Sequence, residues 1–420
     1  MSVGKIIYYH RKKQNKTQEQ LCKGICSVTH MSKIENNSKE VNLKTLQLLC
    51  ERLGISIEEE NKKTQLLKSQ LNQLYDAIER IHKEKADTLY NELLLHKEYI
   101  LCTDMIYLYE LYTLRYLLFL NRITEFEQAS EAMKNKVTKY SPFERYLWDF
   151  LQGVYHGQKL QYLQALEILG ILEEQAEQYS EKVTDYYHFR SIIHGKLHHY
   201  SLSVHYAYKA LRIFQNTGNM FRILHVKITL AFNLIYSNEF KRAEEILLPV
   251  LSDGELLQDT YTKAITTHNL GFLYHRQGNL QEALNYYSQS VQLKQKHTIT
   301  YYNSLLDYIQ TLIDLKENEQ ALNLLQQELD TFSDQKSLQY VKLMILYLQT
   351  MGEEKKLIPY LVKHGLPTME QCMEFRRAVE YADIIAAHYQ EKGELDSANQ
   401  YLQVSNRLLK RMVFDDGKSV

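Results

Sequence analysis

AITTHNLGFLYHRQGNLQEALNYYSQSVQL, residues 264–293, decides the class of the fold. Leu270, Gly271 and Tyr274 fall at helical spacing, Gly278–Asn279–Leu280 interrupts the run, and Ala283 and Tyr287 resume it. Apolar positions three and four apart give each half one buried helical face, and Gly-Asn marks a turn between them. A glycine on the first helix and an alanine on the second remove side-chain bulk between the rods, so the two backbones can approach closely.

Small residues recur outward from Ala283. Ala129, Ala165, Ser203, Ala243, Ala283, Ala321 and Ala398 form a ladder with a period near 38–40, the last gap being two periods with Gly352–Leu357 between. Gly153, Ser191, Ala231, Gly271 and Ala386 supply the matching small position on the first helices, and turns are expected at Glu125–Phe126, His199–Tyr200, Glu239–Phe240, Asn318–Glu319 and Gly393–Glu394–Leu395. Such a pair cannot bury its apolar face alone, so it must stack on its neighbours. The composition permits this: 420 residues hold only 4 Pro and 15 Gly, the helix breakers, while 45% are apolar. Asp396 to Met412, with Arg407, Lys410 and Arg411, reads as a polar capping helix. Met105 to Leu120 is too short to span a membrane and holds Glu110 and Arg115, so it reads as a buried helix.

The head of the chain differs in charge. Up to Arg52 there are 10 Lys+Arg against 4 Asp+Glu, whereas the remainder carries 40 against 47. A basic head on an acidic body is the distribution expected if only the head touches nucleic acid. Helices are expected at Val3–Lys13, after the Thr17 cap with Gln20 completing a capping box, and after Ser27 with Met31 and Ile34 inward. A fourth is expected after Asn42, burying Leu43, Leu46 and Leu49, and a short fifth from Ser56. Two short helices around a tight turn in a basic globule form a helix-turn-helix reader.

TQEQLCKGICSVTHMSKIENN, residues 17–37, resembles the Cro/repressor-like helix-turn-helix signature, and the paired helices resemble tetratricopeptide repeats of a longer period than the plain 34 residues. Together they are similar to the peptide-pheromone-responsive regulators of the Rap–Rgg–NprR–PlcR–PrgX group. The resemblance implies an all-α fold: an N-terminal helix-turn-helix domain followed by a right-handed superhelical tetratricopeptide-like solenoid. It places residues 1–60 as the DNA-binding domain, 61–75 as a linker helix and 76–420 as the sensor. It implies that Gln18, Ser27, Val28, Thr29, His30, Lys33, Asn36 and Asn37 face DNA, and that Arg11 and Glu35 form an internal salt bridge. Lys12, Lys13 and Lys39 are either solvated or on phosphates. The recognition helix has no Arg, so a bidentate guanine contact is absent there.

For the ligand, Asn233, Asn269 and Asn303 recur at spacings of 36 and 34, giving one backbone clamp per repeat for an extended peptide. His268, Phe272 and Asp307 join them on the inner wall. Arg115 binds either a peptide carboxylate or a neighbouring acid. The histidines at 188, 194, 198, 199 and 205 read as packing or turn residues; no metal, cofactor or catalytic motif is indicated. The expected protein is a cytoplasmic quorum-sensing transcription regulator, not an enzyme. Its expected partners are double-stranded DNA, a short signalling peptide and a second copy of itself, without membrane association. The alternatives are a Rap-type adaptor for a phosphorelay response regulator, or a phage or plasmid decision switch of the same architecture.

Overall fold

The computed structural model describes residues 3–36 and 41–414, and every regular element among them is helical. Asn37 and Lys39 lie outside the described residues. Contacts divide the chain into one unit of residues 1–159 and 168–186 and another of 160–167 and 187–420.

The first unit opens with α1 (Val3–Lys13), α2 (Gln18–Cys22), α3 (Val28–Glu35), α4 (Leu43–Leu53) and α5 (Ile57–Glu79). Local chemistry sets their ends. The Thr17 hydroxyl accepts from Gln20 N while the Gln20 side chain accepts from Thr17 N. Ser27 caps α3, Asn42 caps α4, and Gly54 closes α4 in the left-handed conformation at φ 67°. Ile7, Leu21, Met31, Ile34, Leu49 and Leu53 form the core of the head. Leu43 departs from expectation. It is 65% exposed, because it stands in the first turn beside the exposed Asn42 cap, while Leu46, Leu49 and Leu53 carry the inward stripe. The helix after Ser56 is not short: it runs 23 residues and buries Leu67, Leu71, Leu74 and Ile78. Glu58, Glu59 and Glu60 in its first turn complement the positive helix end.

Beyond the head, one turn geometry recurs. Each pair's first helix stops two residues before a left-handed residue, and the second begins two residues after it. Among the described residues these positions are Ile81, Asn121, Leu160, His198, Asn238, Gly278, Lys316, Gly352 and Gly393. At eight of these the amide of the next residue turns back onto the first helix, as Glu317 N does onto Leu312 O at 2.9 Å and Arg122 N onto Leu117 O at 2.9 Å. This corrects two expected turns. Glu125–Phe126 lies inside helix Ile123–Met133, and Asn318–Glu319 opens helix Asn318–Leu329.

The turns also correct the ladder. Five residues after each stand Ala86, Phe126, Ala165, Ser203, Ala243, Ala283, Ala321, Leu357 and Ala398. The rung expected at Ala129 is therefore filled by Phe126, which is 1% exposed and stacks on Tyr155 at 4.9 Å, and the ladder starts a pair earlier at Ala86. Ser191 and Ser203 do meet, with their Oγ atoms 3.1 Å apart. Gly271, however, meets a large residue: a Cβ there would sit 2.7 Å from Tyr287 Cδ1. Gly153 likewise faces Leu169, at 2.7 Å from Cδ2. The glycines thus make room for a bulky side chain from the second helix.

Candidate nucleic-acid interface and ligand trough

On α3, Ser27 accepts a hydrogen bond from His30 N, and Val28, Thr29 and Lys33 stand exposed over the first turns, with Asn36 exposed at the C-cap. These side chains form one outward row, since residues three and four apart share a helical face. His30 sits apart from them: it is half-buried, with Nε2 enclosed and without a hydrogen-bond partner. Gln18 is also half-buried and donates to Glu35 Oε2 at 2.7 Å. Glu35 receives Arg11 through both oxygens, at 2.5 and 2.8 Å, and Arg11 reaches Lys16 O at 2.8 Å. The Glu35 hydrogen bond holds the Arg11 pKa above its ordinary value. Arg11 and Glu35 therefore form scaffold, and Gln18 belongs to that network in the structure described.

The head is tied to α5. His10 Nε2 lies 3.0 Å from Glu60, and Tyr99 donates to the same carboxylate at 2.6 Å. Tyr9 packs edge-on against Tyr99 at 5.2 Å, and the Lys63 ammonium stands 4.0 Å from the Tyr99 ring centroid. Arg115, also in the first unit, is 2% exposed and ion-paired with Asp185 and, at 3.5 Å, with Glu79. Burial works against its charge, but the two acids outweigh it and raise its pKa. Of the two roles weighed for Arg115, the neighbouring acids hold it. It is removed from the ligand set because no face of it is open.

In the second unit, helices Met220–Tyr236, Thr260–Arg276 and Ile299–Asp314 carry the expected clamp residues. Asn233 stands five residues before its turn, Asn269 nine and Asn303 thirteen. Each step is about one helical turn, so the trio runs diagonally across the wall and not along a row. Burial differs too. Asn233 is 1% exposed, donates to Thr229 O at 2.6 Å and packs where a Gly195 Cβ would meet its Oδ1 at 3.0 Å. Asn269 is 4% exposed, whereas Asn303 is open. The three are thus not equivalent: Asn233 is the most deeply buried, and its Oδ1 is enclosed without a hydrogen-bond partner. The shared positions are instead Thr229, Asn269 and Asp307, nine before the turn, and Phe232, Phe272 and Gln310, six before it.

A polar cluster surrounds Asp307. Lys294 donates to Ser304 at 2.5 Å, Ser304 lies 3.0 Å from His268 Nδ1, and His268 Nε2 lies 3.8 Å from Asp307. His275 and Gln310 both reach Asp314, at 2.9 and 3.0 Å. Burial pushes His268 down to about 3 and Lys294 down to about 8. It lifts Asp307 to about 6 against the opposing pull of Arg377, His275, Lys294 and Lys342. Yet the side chains of His268 and Asp307 remain 22% and 38% exposed. His268 and Asp307 are therefore recessed in the trough wall but still reached by water.

Beside this cluster is an aromatic shelf. Tyr200 stacks on Tyr236 at 4.8 Å, and Tyr236 and Phe232 meet Phe272 at 5.2 and 6.1 Å. A cavity of about 400 Å³ adjoins it, lined by His198, Tyr200, Tyr236, Arg276 and Arg376. Sequence reasoning missed Tyr200, Tyr236, Arg276 and Arg376 as ligand candidates. The recurrence of Phe232 and Phe272 at one position of the repeat is the signal that marks the shelf. The histidines have local roles: His188 lies 3.2 Å from Thr229 Oγ1, His194 stacks on Tyr206 at 5.2 Å, and His198 lies 2.8 Å from the Tyr200 hydroxyl. Among the described residues no group of three or more His, Cys, Asp or Glu is placed to hold a metal. None of their helices is long and apolar enough to cross a membrane.

Residues 7–59 match the family described as helix-turn-helix. The transcriptional activator NprA of Geobacillus stearothermophilus is 24% identical over 404 residues, covering 93% of this chain and 99% of NprA. Response regulator aspartate phosphatase I of Bacillus subtilis is 21% identical over 371 residues, covering 84% and 93%. The crystal structure of NprR in complex with its cognate peptide NprX superposes with a TM-score of 0.65 at 22% identity, covering 82% of this chain and 98% of that one. In sequence and in fold, then, the chain is similar to the NprR and Rap proteins, with a helix-turn-helix head followed by tetratricopeptide-like helix pairs.

Proposed function

We propose that the chain is a peptide-responsive transcription regulator of the cytoplasm, in which the head reads operator DNA and the trough of the second unit takes a short signalling peptide. The observation that carries this reading is a recessed but solvent-reached trough, with His268, Asp307 and an aromatic shelf, in the same chain as a basic helix-turn-helix. The similarity to NprA and to the peptide complex of NprR supports it. Residues 1–60 serve as the reader, 61–75 as the linker and 76–420 as the sensor, and two copies present two heads to a two-fold operator. Val28, Thr29, Lys33 and Asn36 are the contacts to bases and phosphates; Ser27 and His30 fix the entry of the helix, and Gln18 is oriented by Glu35. Peptide and DNA communicate only if the peptide prefers one arrangement of the chain, a coupling of about 1–3 kcal/mol in typical cases.

The test is selection by the full-length chain from a pool of random duplexes at controlled salt. Enrichment of a two-fold-related motif, lost in Thr29→Ala and Lys33→Ala, is the expected result. No enrichment above bulk duplex contradicts the reading. The similarity to a response regulator phosphatase favours a second reading, in which the helix pairs bind a response regulator. Retention of function by a variant carrying both Thr29→Ala and Lys33→Ala would favour that reading over the first.

A further inference from the structure

We propose that the cavity lined by Arg276 and Arg376 is a carboxylate-binding subsite, which holds the free C-terminal carboxylate of a peptide lying in the trough. The inference rests on the peptide-binding reading above and deepens it.

Two guanidinium groups, from helices Thr260–Arg276 and Phe375–Glu391, face the same cavity although they lie 100 residues apart in the chain. Among the described residues, neither has an acid for a partner. Arg276 donates to the neutral Asn238 Oδ1 at 2.8 Å and stands 5.9 and 6.0 Å from the Tyr236 and Phe272 ring centroids. Arg376 lines the cavity beside Tyr236. Both residues are exposed, so their charge is available to a ligand. Converging cations without an anion repel each other, and a planar carboxylate satisfies the guanidinium fork with paired, charge-assisted hydrogen bonds.

The rest of the lining chooses among anions. Tyr200, Tyr236, Val379 and Leu409 give the cavity aromatic and aliphatic walls. Those walls suit an apolar terminal residue, and they lower the local dielectric, which strengthens the ion pair.

The experiment uses affinity selection by the full-length chain from two pools of random hexapeptides, one with free C-terminal carboxylates and one amidated. The retained peptides are read by mass spectrometry. Preferential retention of free acids, by about tenfold or more, is expected, with the preference lost in Arg276→Gln and in Arg376→Gln. Arg376→Lys keeps the charge without the fork and should recover part of it, and matching thermal unfolding of all variants excludes misfolding. Equal retention of acids and amides, or a preference that survives both Gln variants, overturns the carboxylate subsite and leaves peptide binding standing. Retention from neither pool removes the peptide reading and the subsite together. Retention restricted to sequences with internal Asp or Glu, in both pools alike, overturns the assignment to the peptide terminus.

Discussion

Arg115→Met is the sharpest perturbation of the first unit. Its side chain is 3% exposed, and the Asp185 and Glu79 carboxylates it joins are 0% and 7% exposed. Methionine fills most of the volume and takes the Arg115 charge away from the two buried acids, with Thr184 still donating to Glu79. Removing one partner of a buried ion pair costs about 3–5 kcal/mol, a large share of the roughly 5–15 kcal/mol that holds a domain folded. Trp148 is the sole tryptophan, is 7% exposed and lies in the same unit, so its fluorescence in urea reports this unit specifically. A loss below about 1 kcal/mol would refute the reasoning and reopen Arg115 as a ligand residue.

Other consequences are as direct. Gly271→Ala should destabilise the second unit by about 1–3 kcal/mol in urea titration, because its new Cβ falls 2.7–2.9 Å from three Tyr287 ring atoms. Gain or neutrality there would show that the ring can withdraw. Lys316→Gly should raise the melting temperature slightly, since exposed Lys316 holds φ 69° and gives up left-handed strain of about 1–2 kcal/mol against the entropy cost of glycine. Asp307, lifted by burial to about 6, contributes stability that falls as pH rises through that value. Asp307→Asn should flatten the stability profile around pH 6 without shifting the profile near pH 4.

Features set by neighbours in sequence were legible before the structure. Thr17, Ser27 and Asn42 begin their helices through their own side chains, and each stands where a cap was expected. The helix pairs were legible where a glycine marks the turn, as at Gly278 and Gly393. The same turn at Ile81, Leu160 and Lys316 is made by residues that ordinarily avoid positive φ. No composition signal betrays it, which is why the first rung was placed at Ala129. Arg115 meets Asp185 across 70 residues, a pairing no local pattern contains. Arg276 and Arg376 meet at one cavity only because helix pairs far apart in sequence come together in the second unit. The asparagine spacing was regular, but it ignored that 36 and 34 differ from the turn period, so the trio drifts along the helices.

Reciprocal linkage tests the whole account most directly. The affinity of the full-length chain for a duplex selected from the random pool is measured with and without a peptide retained from the random hexapeptides, and the peptide affinity is measured with and without the duplex. A regulator whose trough and head share one equilibrium must show a change of about 5–150-fold, equal in the two directions. Duplex affinity that stays the same when the trough is saturated would contradict it.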